Sequence, residues 1–277
     1  MLFYYVVAVI IYSLIDKYKQ KLYFNPSSYM SPTKNKIIMP SHNHYAIINY
    51  AIINNLTNNL TNNPTNNLKL NKSCLLISHG NAGNISNRDY LLEILNSYDG
   101  DIYCYEYPGF GKCEGSVSIA SCITEHIYWL ERLSQKYPKI DLWGESIGGG
   151  IIVETLCKLD EKKNESIIKK INRIYLQSTF SSIYNVIKTL NPNLAMGYYI
   201  LGFDDLEVAK SLTHSEYKSK FKNNEIIIMH SRTDEIIPFS EAEILYNTCA
   251  QNKLNVKIIE IKGDHNNISL GTTKLFQ

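Results

Sequence analysis

From residue 73 onward, short apolar runs alternate with stretches of helical periodicity. Cys74–Ser78 (CLLIS), Asp101–Tyr105 (DIYCY), Ile140–Trp143, Arg173–Leu176, Glu225–His230 (EIIIMH) and Val256–Ile261 read as strands. Between them, Asn87–Ser97 carries Tyr90, Leu91, Ile94 and Leu95 at helical spacing, and Ile119–Leu133 sets Ile123, Ile127 and Leu130 on one face. Gly148–Leu159 and Glu241–Cys249 are the remaining helical stretches, and two further strands, 36–40 (KIIMP) and 45–53 (YAIINYAII), precede the series. The strand runs are continuously apolar rather than alternating, which requires cover on both faces and therefore a mostly parallel sheet with crossover helices. The expected fold class is α/β: a mostly parallel central sheet with helices on both faces. Ligands of such sheets bind beyond the carboxyl ends of the strands.

Two segments interrupt this rhythm. Residues 54–69 run NNLT-NNLT-NNPT-NNLK, a quasi-repeat whose asparagines compete with their own backbone for hydrogen bonds, so a solvated inserted loop is expected. Leu2–Ile15 (LFYYVVAVIIYSLI) holds no charge. As a helix its length is about 21 Å at roughly 1.5 Å per residue, short of a hydrocarbon core of about 30 Å. Lys17, Lys19 and Lys21 with Tyr18 and Tyr23 follow it, side chains suited to a headgroup layer. The segment reads as a short signal-anchor, with a cleaved signal peptide and a buried or interfacial helix as alternatives. No basic residue precedes the run and no small-x-small site follows it, which disfavours cleavage. The lysines lie on its C-terminal side, so the catalytic body is expected in the cytoplasm and the protein at a membrane. The expected division is an anchor over 1–22 and one domain over 23–277. The sequons at Asn55, Asn59 and Asn71 decide nothing in so asparagine-rich a stretch.

Composition narrows the rest. The 277 residues are 44% hydrophobic and 19% charged, enough apolar surface to fold. A formal net charge of +2 gives no basic footprint for nucleic acid. Six cysteines (Cys74, Cys104, Cys113, Cys122, Cys157, Cys249) stand singly, without a C-x-x-C pair, a distribution that favours a reducing compartment.

The chemistry concentrates at strand ends. Gly144-Glu145-Ser146-Ile147-Gly148 is a G-x-S-x-G between the strand at 140–143 and the helix that follows. The glycines permit a tight turn that exposes a serine hydroxyl, and the helix N-terminus points its positive end at the reacting centre. An idle serine in a glycine-rich turn is the plain alternative. A nucleophilic serine needs a base and an acid to orient it, in the order serine, acid, histidine for this topology. Asp234 follows EIIIMH and His265 follows VKIIEI, on the same sheet edge as Ser146. Competing assignments are weaker. His230 reads as an inward structural histidine and His79 as a residue orienting its loop. His42 and His44 read as a solvated loop rather than a metal site, with no carboxylate or cysteine companion nearby. Glu235 and Asp264 flank the acid and base, but a carboxylate adjacent to a histidine usually points away, so Asp234 is the better partner. No cofactor or metal is expected.

An oxyanion formed by attack on a carbonyl needs aimed donors. The backbone N–H of Ile147 is one candidate, and that of Asn81, in the loop His79-Gly80-Asn81-Ala82-Gly83-Asn84, is the other; a flexible turn is the alternative for that loop. The segment Ser181–Ser211 is apolar for a connection above such a site and reads as a small cap able to hold an acyl chain, or else as a packed helix pair.

HGNAGN (79–84), YPGFGKCEG (107–115), GESIGGG (144–150), HSRTDEIIP (230–238) and GDHNN (263–267) together resemble the α/β-hydrolase fold family. Within it they are similar to the membrane-anchored α/β-hydrolase-domain serine hydrolases, a depalmitoylase-like group, over about Tyr23 to Leu270. The resemblance implies Ser146 as nucleophile, Asp234 as acid, His265 as base, and Asn81 and Ile147 as oxyanion donors; the apolar cap and Leu2–Ile15 together point to an acyl ester or thioester of lipid-like character as substrate. The resemblance leaves open a catalytically idle scaffold binding a partner, and an acyltransferase or peptidase using the same triad. Three features depart from the family pattern: Ser231 replaces a glycine in the acid loop, the 54–69 insertion is foreign, and only twelve residues follow His265, so a final helix is expected to be short or absent.

Overall fold

A computed structural model describes residues 20–21, 23–33, 35–41, 44–49, 72–193, 195, 206–216, 218–270 and 275–276. Leu2–Ile15 and the asparagine-rich 54–69 lie outside the described residues. Strands are β1 (Asn25–Pro26), β2 (Lys36–Ser41), β3 (His44–Asn49), β4 (Ser73–Ser78), β5 (Ala82–Gly83), β6 (Asp101–Tyr105), β7 (Lys139–Glu145), β8 (Ile171–Gln177), β9 (Glu225–Ser231), β10 (Val256–Gly263) and β11 (Ile268–Ser269). The main sheet runs β11-β10-β9-β8-β7-β4-β6-β3-β2. The six strands from β10 to β6 pair in parallel, and antiparallel partners close both edges. β1 and β5 form a separate parallel pair that joins the chain before the sheet to the loop after β4.

The continuous apolar strands divide between two layers. Cys74 and Leu76 of β4 and Ile226 and Ile228 of β9 belong to one buried cluster; Leu75, Ile77, Ile227 and Met229 belong to the other. The first is covered by α2 (Ile119–Lys136), α3 (Ile147–Lys158), α6 (Val208–Thr213) and α8 (Phe239–Gln251). Ser118 caps α2 through a reciprocal box with Ser121, which fixes where that helix starts. α3 is buried on nearly every side, as a glycine-started helix wedged between sheet and neighbours must be. The second layer is covered by α1 (Asp89–Ile94) and by the far end of the chain, where buried Leu275 and Phe276 pack against Tyr98 and Tyr175.

Three short helices, α4 (Glu165–Ile168), α7 (Lys218–Phe221) and α6, were not visible in the hydrophobic pattern, since one or two turns leave little periodicity. Of the expected cap, α5 (Ile183–Leu190) is described and 196–205 lies outside the described residues. Among the described residues no helix is long and apolar enough to cross a membrane.

Candidate active site

Ser146 stands at the junction of β7 and α3 with φ 55° and ψ −117°, a backbone conformation that costs a non-glycine residue about 1–3 kcal/mol. The surroundings hold it there. Its N–H donates to Gln177 O at 2.8 Å, and its carbonyl accepts from Gly149 N–H at 3.1 Å and Thr179 Oγ1 at 3.2 Å. The flanking glycines are a packing requirement. A Cβ on Gly144 would lie 2.3 Å from Gly149 Cα, and one on Gly148 would lie 2.0 Å from Ser78 O.

Asp234 and His265 meet across the ends of β9 and β10. His265 Nδ1 is 2.8 Å from Asp234 Oδ2 and 3.0 Å from Oδ1. Asp234 Oδ1 also accepts the N–H groups of Ile236 (3.0 Å) and Ile237 (2.8 Å). Burial pushes this carboxyl up, but the His265 bond and those two backbone donors outweigh it and hold the group below the usual carboxylate range. An ionised Asp234 keeps a proton on Nδ1 and leaves Nε2 as the basic nitrogen.

Residues around the pair splice the two loops. Ser231 Oγ and Thr233 Oγ1 both donate to Gly263 O, the latter at 2.7 Å. The serine that replaces a glycine in the acid loop therefore ties that loop to the histidine loop. Glu235 Oε2 accepts the His265 N–H at 3.1 Å, a bond that adjacency to Asp234 did not suggest. Asp264 turns away from the imidazole and caps Asn266 and Asn267 N–H at 3.0 and 2.7 Å. His230 is fully buried, which pushes its imidazole pKa below the ordinary value, and donates from Nε2 to Ile237 O at 2.8 Å, supporting the Asp234 turn.

Ser146 and His265 line one cavity of about 390 Å³ with Asn81, Ile147 and the apolar side chains of Tyr23, Phe180, Ile183, Val186, Ile187 and Ile237. No Ser146–His265 hydrogen bond is present among the described residues. Resting triads often leave that contact long and close it when substrate binds. Ile147 opens α3, where an N–H has no intrahelical acceptor. The Asn81 carbonyl is turned outward to accept Asn25 N–H at 2.8 Å. Glu145, the first variable residue of the G-x-S-x-G, escaped the sequence reading: its carboxylate accepts from Gly80 N–H, Arg88 Nε and Tyr90 OH. Arg88 carries no local mark and Tyr90 reads as one of the helically spaced apolar positions of 87–97, so nothing short of the fold announces the contact.

No family model matches the chain. It is 30% identical to the uncharacterized protein R595 of Acanthamoeba polyphaga mimivirus over 208 residues, 71% of this chain and 68% of that protein. It is 27% identical to the lysophosphatidylserine lipase ABHD12 of Danio rerio over 65% of this chain and 48% of that one. The solved α/β hydrolase of Vibrio vulnificus shares its fold, with a TM-score of 0.60 at 14% identity, over 83% of this chain and 74% of the other. The chain belongs to the α/β-hydrolase-domain family. It thus spans about two thirds of the mimivirus relative (68%) and about half (48%) of the lipase.

Within this family frame, the other polar residues of the sequence have structural work. His79 Nδ1 bonds its own loop at Gly80 O (2.8 Å) while Nε2 meets Glu106 at 3.1 Å, so it orients the loop as expected. His44 is not in a loop: it lies half-buried in β3, stacks on Tyr128 with ring centroids 3.5 Å apart, and pairs with Glu125 at 2.8 Å. Glu125, distant in sequence, is the carboxylate companion that a local reading could not supply. His42 lies outside the described residues. Among the described residues no group of three or more His, Cys, Asp or Glu could hold a metal. All six cysteines are buried and none is in a disulfide.

Proposed function

We propose that this chain is a serine hydrolase of carboxylic esters or thioesters with an acyl or lipid-like group, working through an acyl-enzyme on Ser146. The observation that carries this reading is a carboxylate-oriented imidazole, Asp234–His265, opening on the same cavity as a serine held in a strained turn. His265 takes the Ser146 proton as the hydroxyl attacks the carbonyl, then returns it to the departing alcohol or thiol. Water, deprotonated by the same imidazole, releases the acid and restores the serine. The backbone N–H groups of Ile147 and Asn81 receive the negative charge on the carbonyl oxygen at each tetrahedral step.

The substrate class rests on the cavity walls. Its described lining is apolar apart from Ser146, His265, Asn81, Asn266 and the Tyr23 hydroxyl, which suits an acyl chain and offers no fixed cation for a charged head. The relation to a lysophosphatidylserine lipase supports the same class. We read residues 23–277 as the hydrolase domain, 181–211 as its cap, and 1–22 as a single membrane anchor with the catalytic domain on the cytoplasmic side. Tyr23, a wall of the cavity, directly follows that segment in the chain. Labelling by a fluorophosphonate probe in membrane and soluble fractions tests both parts. Wild-type protein should label in the membrane fraction and Ser146→Ala should not label at all. Equal labelling of the two proteins would end the serine assignment, and soluble activity of the full chain would end the anchor.

A further inference from the structure

We infer that Glu145 and Arg88 form a buried positioning pair that sets the register between the nucleophile turn and the loop carrying the Asn81 N–H. The inference rests on the serine-hydrolase reading and concerns how its oxyanion site is built. Glu145 precedes Ser146 in the chain, yet its side chain leaves the cavity and runs behind the loop at 79–83. There Oε2 accepts Gly80 N–H at 3.0 Å and Arg88 Nε at 2.9 Å, and Oε1 accepts Tyr90 OH at 3.1 Å. Arg88 then reaches past the carboxylate to donate from Nη2 to Ala82 O at 3.0 Å. Asn81 is thus bracketed: the amide before it is held by Glu145 and the carbonyl after it by Arg88. Both side chains are buried, at 9% and 10% exposure, so water does not compete for these bonds.

The two catalytic elements come from different parts of the fold. Ser146 belongs to the β7–α3 turn and Asn81 to the loop after β4, and a donor displaced by about an ångström can cost a reaction on the order of 100-fold. The main-chain ladder between β4 and β7 ends at Ser78 and Gly144, three positions before Asn81 and two before Ser146. Beyond that point the carboxylate of Glu145 is the bridge. Acceptor count makes the charge necessary. Three donors converge on two carboxylate oxygens, whereas glutamine offers one acceptor oxygen and a competing NH₂ group. Burial pushes the Glu145 carboxyl up, but the Arg88 charge and the Gly80 N–H outweigh it and keep it ionised.

Glu145→Gln, assayed on p-nitrophenyl octanoate and with an alkyl boronic acid as a tetrahedral mimic, tests the inference. Expected results are kcat lower by about 10–100-fold, KM within about 2-fold, and boronate affinity weakened by the same factor as kcat/KM. Arg88→Lys keeps a charge but not the Ala82 bond, and should show the same split at smaller amplitude; it decides the matter if Glu145→Gln does not fold. Glu145→Gln combined with Arg88→Met should be no slower than the worse single variant, because the pair acts as a unit. Wild-type kcat and boronate affinity in folded Glu145→Gln, a loss confined to KM, or additive losses in the double variant would overturn the inference while leaving the serine reading intact. Failure of the wild-type chain to react with a fluorophosphonate would overturn both.

Discussion

His265 Nδ1 lies 2.8 Å from Asp234 Oδ2 although the residues are 31 positions apart in the chain. The contact joins the loops beyond β9 and β10, and its chemical consequence is one imidazole tautomer. Asn at 234 would offer an amide whose NH₂ group competes as a donor and favours the wrong tautomer. Asp234→Asn should lower kcat by roughly 10⁴-fold with little change in KM. Steady-state ester hydrolysis checks this, and a variant within tenfold of wild type would remove Asp234 from the proposed triad.

The same carboxylate makes stability depend on pH in a stated direction. Burial opposes ionisation, but the His265 bond and the N–H groups of Ile237 and Ile236 depress the folded-state value below the ordinary one. The unfolded chain therefore binds the proton more readily, and the stability from Asp234 is present above about pH 3.9, the ordinary Asp value. It is lost as pH falls through the depressed folded-state value. Urea melts of wild type and Asp234→Asn from pH 7 to pH 3 should show a gap that is constant at the upper end and narrows toward the acid end. A gap that widens on acidification would contradict the sign.

Two glycines of the same turn region are expected to behave oppositely. A methyl on Gly148 would lie 2.0 Å from Ser78 O, a backbone atom of a central strand that cannot turn aside. Gly148→Ala should cost about 3 kcal/mol or more, at or beyond the upper end of ordinary overpacking. At Gly150 the nearest atom is the Leu206 Cδ1 at 3.2 Å, the tip of a side chain rather than backbone. There the helix preference of alanine, about 1 kcal/mol over glycine, offsets the crowding. Thermal melts of the two variants should therefore separate widely, and similar melting temperatures would refute the packing account.

The sheet was legible because its signal is repeated: each continuous apolar run from Cys74 to Ile261 says the same thing about two covered faces. DIYCY lies on β6 without shift, and the other described runs in that interval are extended by one or two residues at their ends. Helix periodicity was legible in the long α2, which starts at Ile119 as its apolar spacing predicts, and illegible in the one-turn α4 and α7. The side chains around the site fall into the same two groups. Ser146, Asp234 and His265 sit at strand ends and could be ordered by topology. Glu145 with Arg88, Ser231 with Gly263 and His44 with Glu125 are pairings between distant segments, and a single chain carries no local mark of them. The β1–β5 pairing escaped for a further reason: two residues on each side make no pattern at all.

The cavity makes a prediction about chain length. Val186 and Ile187 of α5 face the 390 Å³ space that also holds Ser146. Ile187→Trp fills part of it without touching the reacting residues. Activity on p-nitrophenyl octanoate should fall by about tenfold or more relative to acetate, since each methylene excluded from apolar surroundings forfeits about 0.8 kcal/mol. An unchanged octanoate-to-acetate ratio would move the acyl site elsewhere.

One buried carboxylate ties the segment that leads into α5 to α8. Glu241 of α8 accepts the Ser181 N–H at 2.8 Å and the Ser181 hydroxyl, while Ser181 Oγ accepts Asn185 Nδ2 and Ser181 O accepts Ala209 N–H at 3.0 Å. The start of α5, the start of α6 and the first turn of α8 thus converge on Ser181. Glu241→Ala would strand a buried N–H and hydroxyl, each worth about 1–3 kcal/mol when left unpaired. That loss falls on the cap root and not on the strands that carry Ser146, Asp234 and His265. The expected outcome is faster proteolysis within 183–191 and a raised KM for octanoate, with acetate turnover within about twofold because a short ester needs no ordered α5 wall. Should the proteolysis pattern match wild type, α5 is held by its apolar face alone and Glu241 has no part in forming the acyl site.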